Sequence, residues 1–164
     1  MSGMLGIDGN MKSGIAGENR VPAWNAGTTS SYGHSGNNKI EFNNLTATGK
    51  FSYPAGSYNT TSDVYFAPTD GYYFVYTQVL WEGVSNNAAM HDSINIRYEN
   101  SPRSIGARRA YYVNSYTGTG AYFGDWTSCV IYATIGGEFS VTGHKNETVH
   151  GNTDYTFFCG HLIR

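Results

Sequence analysis

The stretch "YYFVYTQVLW" (Tyr72–Trp81) decides how the chain must fold. Successive residues of a β-strand point to opposite faces of its sheet. One face then carries Tyr72, Phe74, Tyr76, Gln78 and Leu80, and the other Tyr73, Val75, Thr77, Val79 and Trp81. A strand with one wet face alternates apolar with polar residues; this one is apolar or aromatic on both sides. "YTFFCGHLI" (Tyr155–Ile163) repeats the pattern, with Tyr155, Phe157, Cys159, His161 and Ile163 against Thr156, Phe158, Gly160 and Leu162. One face can fill a core, and the other also needs cover. Loops of the same chain are one source of cover. A second copy of the chain is the more economical one, and it predicts a homo-oligomer with an aromatic seam.

Working outward, the chain of 164 residues has the size of one domain. Leucine occurs only at 5, 45, 80 and 162, while Tyr (14) and Gly (21) are abundant. This composition favours strands and turns over helices. Only 13% of residues are charged and the net charge is −2, so no basic footprint for nucleic acid and no polybasic membrane patch is present. No apolar run approaches the roughly 20 residues of a membrane span. Nor is a basic, apolar leader legible at the N-terminus, which predicts either synthesis in a cytoplasm or a precursor already trimmed.

From Val21 onward short apolar runs alternate with Gly, Asn, Ser and Thr clusters, as in a β-sandwich. The pattern predicts strands over 22–29, 38–43, 49–53, 63–66, 71–83, 92–98, 104–112, 121–135, 137–143 and 154–163. Asp70-Gly71 marks the turn into the long aromatic strand. Residues 1–20 show no core-facing period and read as an extended Gly-rich arm ahead of a head domain over 21–164.

These residues carry a resemblance. "VYFAPTDGYYFVYTQVLWEG" (Val64–Gly83) resembles the central segment of the complement C1q globular-head family, and "YTFFCGHLIR" (Tyr155–Arg164) its closing strand. "KIEFNN" (Lys39–Asn44), "VPAWNAGTTS" (Val21–Ser30) and "SCVIYATIGGEFSV" (Ser128–Val141) fit other strands of that family. Cys159 and His161 stand where the family has Ser and an aromatic, and Gly136-Gly137-Glu138 replaces its Gly-Asp turn. The resemblance implies an all-β, ten-stranded jelly-roll sandwich shared with the tumour-necrosis-factor superfamily. It further implies a tight homotrimer without enzymatic activity. Tyr72, Phe74, Tyr76, Tyr155 and Phe157 are then the expected trimer interface.

Motifs of catalysis are missing. His34, His91, His144, His150 and His161 lack the spacing of metal ligands, and no nucleotide or nucleophile-elbow motif occurs. No catalytic residue, metal site or cofactor is expected. The family's strand order puts the 71–83 strand between those of Cys129 and Cys159, roughly 9–10 Å apart and beyond the ~7 Å limit of a disulfide; both thiols are expected free. Between Arg103 and Trp126, the residues Arg108, Arg109, Tyr111, Tyr112, Tyr116 and Trp126 are of types enriched at interfaces and form a candidate recognition loop.

The arm has glycine at 3, 6 and 9 and again at 14 and 17, a register broken at Lys12-Ser13 and without proline. Collagen needs unbroken triplets, so a triple helix is excluded. Twenty extended residues reach up to about 66–72 Å, with Met4, Leu5, Ile7, Met11 and Ile15 as apolar pegs for anchoring. Together these features suggest a virion protein: a trimeric knob decorating or cementing a phage capsid, or capping a fibre, held by its arm to a capsid or other virion protein. An adhesin head recognising a host glycan or protein is the alternative, and a secreted ligand of the C1q or tumour-necrosis-factor type the third.

Overall fold

The computed structural model describes residues 21–84, 90–99, 105–113, 121–143 and 147–163, apart from the side chains of 83, 84, 90–93, 105–113 and 121. Among them run twelve strands: β1 (Ala23–Gly27), β2 (Tyr32–Gly33), β3 (Phe51–Tyr53), β4 (Tyr58–Asn59), β5 (Val64–Phe66), β6 (Gly71–Val84), β7 (Met90–Tyr98), β8 (Ile105–Val113), β9 (Ala121–Ala133), β10 (Glu138–Gly143), β11 (Thr148–Val149) and β12 (Phe157–Leu162). They form two layers. One sheet reads β3-β1-β12-β6-β9, with β11 and β2 continuing beside the end of β6. The other reads β4-β5-β10-β7-β8. The chain passes repeatedly between the layers, from β3 to β4, β5 to β6, β6 to β7, β8 to β9, β9 to β10 and β10 to β11, which makes the sandwich a jelly roll.

Between the layers lies an aromatic core. Trp24 stacks on Tyr65 at 3.9 Å between ring centroids, with Phe139 at 5.7 Å and Phe158 edge-on at 5.3 Å. Room for the indole comes from Gly160, its register partner on β12. A Cβ there would lie 2.6 Å from the Phe74 carbonyl oxygen and run into the indole. On β6 the inward set Tyr73, Val75, Thr77, Val79 and Trp81 is fully buried, as its spacing predicts. At the β9–β10 turn Gly136 takes φ 81°, a left-handed conformation that suits glycine.

Segment 38–43 is extended but is not a strand. It makes one bridge, Lys39 to Thr142, and Ile40 donates its N–H to the Val141 carbonyl. Beyond that, side chains replace the ladder: Glu41 N–H donates to the Tyr32 hydroxyl at 2.7 Å and Phe42 N–H to Asp63 Oδ1 at 2.8 Å. Ile40 and Phe42 are still fully buried, so the segment closes the core without joining a sheet.

Two consequences can be measured. Trp24→Ala opens the centre of the core and is expected to cost about 3–5 kcal/mol in denaturant unfolding; a loss below 1 kcal/mol would contradict this packing. Burial pushes the Asp63 carboxyl up to about 6, against the opposing hydrogen bond from Phe42. A raised acid favours the folded state while protonated, so stability from this group is present below about pH 4 and lost as pH rises through about 6. Asparagine keeps an acceptor and tolerates the φ of 55° at this position. Urea midpoints at fixed protein concentration should show Asp63→Asn gaining on the parent as pH rises from 4 to 7.5. A parallel pair of pH curves would contradict the assignment.

Candidate functional site

Strand register builds the site. β6 pairs with β9 on one edge and β12 on the other, so Tyr72 lies opposite Tyr132, and Phe74 opposite Val130 and His161. Gln78 in turn lies opposite Trp126 and Phe157. All of these point away from the core. At the centre Tyr76 stacks between Trp126 (6.4 Å, 17°) and Phe157 (5.7 Å, 28°). Nearer the start of β6, Tyr72 meets Tyr132 edge-on at 5.2 Å and Phe74 meets His161 at 5.6 Å. Tyr72, Trp126, Val130, Tyr132 and Tyr155 are each 50–59% exposed. The polar groups within this face are satisfied locally: the Tyr76 hydroxyl donates to Gln78 Oε1 at 3.2 Å, and Gln78 Nε2 to the Tyr155 carbonyl at 3.2 Å.

Described charges sit at the rim. At one end His150 Nδ1 contacts Glu82 Oε1, and Ser31 Oγ also donates to that carboxylate. The Ser31 hydrogen bond, with His150 behind it, holds the Glu82 carboxyl below its ordinary range. Tyr122 stands edge-on to His150 at 5.2 Å. On the β12 side Lys50 Nζ lies 5.0 Å above the Phe157 ring, and burial lowers its pKa. An uncharged aromatic centre with a charged rim is the anatomy of a protein–protein interface.

Of the five residues expected at the trimer seam, Tyr72, Phe74, Tyr76 and Phe157 share this one face; Tyr155 lies instead in the turn that precedes β12, half exposed, where its carbonyl accepts from Gln78. Trp126, grouped by sequence with the recognition loop, lies on β9 at the middle of the same face. Arg108, Arg109, Tyr111 and Tyr112 fall on β8, the edge of the second sheet, opposite Asn95, Ile94, Asp92 and His91; their side chains lie outside the described residues. Tyr116 and the arm residues Met4, Leu5, Ile7, Met11 and Ile15 also lie outside them. Val130 and Tyr132 were missed. The parity test that exposes them is the one that works on β6: in "AYFGDWTSCVIYA" (Ala121–Ala133) one face reads Tyr122, Gly124, Trp126, Ser128, Val130 and Tyr132.

No protein-family model and no curated protein sequence matches the chain. Solved structures do match in shape. An Eiger TNF from S. frugiperda aligns with TM-score 0.62 at 12% identity, covering 88% of this chain and 94% of that one. Murine APRIL aligns with TM-score 0.62 at 14% identity, covering 88% and 100%. The globular domain of a zebrafish complement 1qA protein aligns with TM-score 0.59 at 12% identity, covering 87% and 98%. The fold is the jelly roll of the tumour-necrosis-factor and C1q heads.

Cys129 lies opposite Val75 and Cys159 opposite Tyr76, so β6 separates the two cysteine strands and both thiols are free. Burial pushes each thiol up to about 11, which suppresses the thiolate at neutral pH. We expect both cysteines to react slowly with a thiol reagent in the folded protein at pH 7.5 and at once in denaturant without reductant. A protein that needs reductant before its thiols titrate would contradict the strand order.

Proposed function

We propose that the chain is the subunit of a homotrimeric, non-enzymatic jelly-roll head whose copies join through the aromatic face of β9, β6 and β12. One observation carries this reading: a continuous row of large apolar side chains, half exposed in the single subunit, on the outer side of a sheet whose inner side already fills the core. Extended exposed apolar patches of this kind mark interaction surfaces. The number three rests on the resemblance to C1q and tumour-necrosis-factor heads. The absence of enzymatic activity rests on the same resemblance and on the sequence, which carries no catalytic motif.

The finer reading is a virion structural protein made in a host cytoplasm, a knob on a phage capsid or fibre. It is supported by the Gly-rich N-terminal arm with its five apolar pegs. The adhesin reading draws on the Arg- and Tyr-rich stretch that includes β8, and the secreted-ligand reading on the likeness in fold. Deleting residues 1–20 separates them: a cementing knob loses its particle, whereas an adhesin or ligand head keeps its target.

Sedimentation equilibrium tests the assembly. The parent should sediment at three times 17.9 kDa, about 54 kDa. Trp126 is half exposed in one subunit, so Trp126→Asp should leave the subunit folded. In the seam the same change buries an unpaired carboxylate, a penalty of several kcal/mol per copy, and should yield monomer. An unchanged mass for this variant would overturn the reading.

A further inference from the structure

We propose that His161 makes the assembly acid-labile: its imidazole is neutral where copies of the chain join, and its protonation drives them apart. This inference rests on the reading that copies join through the aromatic face of β9, β6 and β12. Register places His161 on that face, opposite Ala23 of β1 and Phe74 of β6. Its ring lies 5.6 Å from the Phe74 ring, and the residue is exposed in the single subunit. A copy that covers Phe74 and Tyr72 therefore covers His161 as well. Histidine is the side chain whose charge changes in mildly acidic water, so a face that is otherwise uncharged at its centre carries one group that can acquire a charge there.

The described residues around His161 offer that charge no counter-ion. Along β12 its outward neighbours are Cys159 and Ile163. On β6 Tyr72 and Tyr76 flank Phe74, and beyond them β9 presents Val130 and Tyr132. On the other side β1 presents Ala23 and Asn25, and β3 Tyr53 and Phe51. The titratable groups in these rows are a thiol and phenols, types that carry no charge in acid. The nearest charged side chains lie about four residues along the strands, roughly 13 Å. At one end is Asp70, whose Oδ1 accepts the Ile135 N–H. At the other is Lys50 above the Phe157 ring, with Asp154 acting on it. His150 is the opposite case: its Nδ1 contacts Glu82 Oε1 at the rim, so a proton taken up there meets a carboxylate. The sign follows from solvation. An imidazolium buried without a partner is disfavoured, so the separated subunit binds the proton more readily than the assembly does. Assembly keeps its full strength above about pH 6.5, where a free imidazole is neutral, and loses strength as pH falls below it.

Sedimentation of a dilution series of the full chain at pH 7.5 and at pH 5.0 tests the proposal, with one fixed sub-denaturing urea concentration bringing the transition into range. A group that titrates near 6.5 and must stay neutral in the seam weakens association at pH 5.0 by about 30-fold per copy, or about 10⁴-fold for three copies. The subunit concentration at half dissociation then rises by about a hundredfold. His161→Phe and His161→Gln, which replace an exposed side chain and leave the core intact, should each abolish most of this rise. His150→Gln should keep it. No rise in the parent, or an equal rise in both His161 variants, overturns the inference while the assembly reading stands. A parent that is monomeric at pH 7.5 without urea overturns the assembly reading, and this inference with it.

Discussion

Strand β6 carries large apolar side chains on both faces, and a two-layer sandwich offers an interior to only one of them. The inner row from Tyr73 to Trp81 is satisfied within the chain. It packs with Trp24, Tyr65, Phe139 and Phe158 into a core whose stacking depends on one glycine, Gly160. The outer row, centred on Tyr76 between Trp126 and Phe157, has no layer of this chain above it among the described residues. Everything proposed about assembly follows from that asymmetry. The hydrophobic cost of leaving such a row in water is met most simply by copies of the same face.

The same asymmetry organises the charges. Glu82, His150 and Lys50 lie around the aromatic centre, each tied to neighbours of its own subunit. A rim of locally paired charges lets the centre be dehydrated without stranding a charge.

Much of this was legible from alternation alone. The two rows of β6 and of Phe157–Leu162 follow from a period of two, which needs no knowledge of neighbours; Tyr155 and Thr156 carry the same pattern but lie in the turn before β12. The turn at Asp70-Gly71 follows from local composition. What was not legible depended on distant partners. Segment 38–43 has the pattern of a strand, but Asp63 and Tyr32 take up its N–H groups, and no local signal announces that. Strands of two residues, β2, β4 and β11, are too short to show a period. The strand order that keeps Cys129 from Cys159 came from the resemblance, because pairing between remote segments leaves no periodicity. Trp126 falls with a recognition loop by the Arg- and Tyr-rich stretch before it, although its parity on β9 puts it on the outward aromatic face beside Tyr76.

Tryptophan accessibility tests the central claim most directly, because the three indoles divide cleanly. Trp24 and Trp81 are 1% and 0% exposed within one subunit, whereas Trp126 is 50% exposed at the centre of the aromatic face. If copies of the chain cover that face, acrylamide should quench the parent no more than it quenches Trp126→Phe, since all three indoles are then shielded. A readily quenched component in the parent that vanishes in Trp126→Phe would show the face open to water, and the account of assembly would fail.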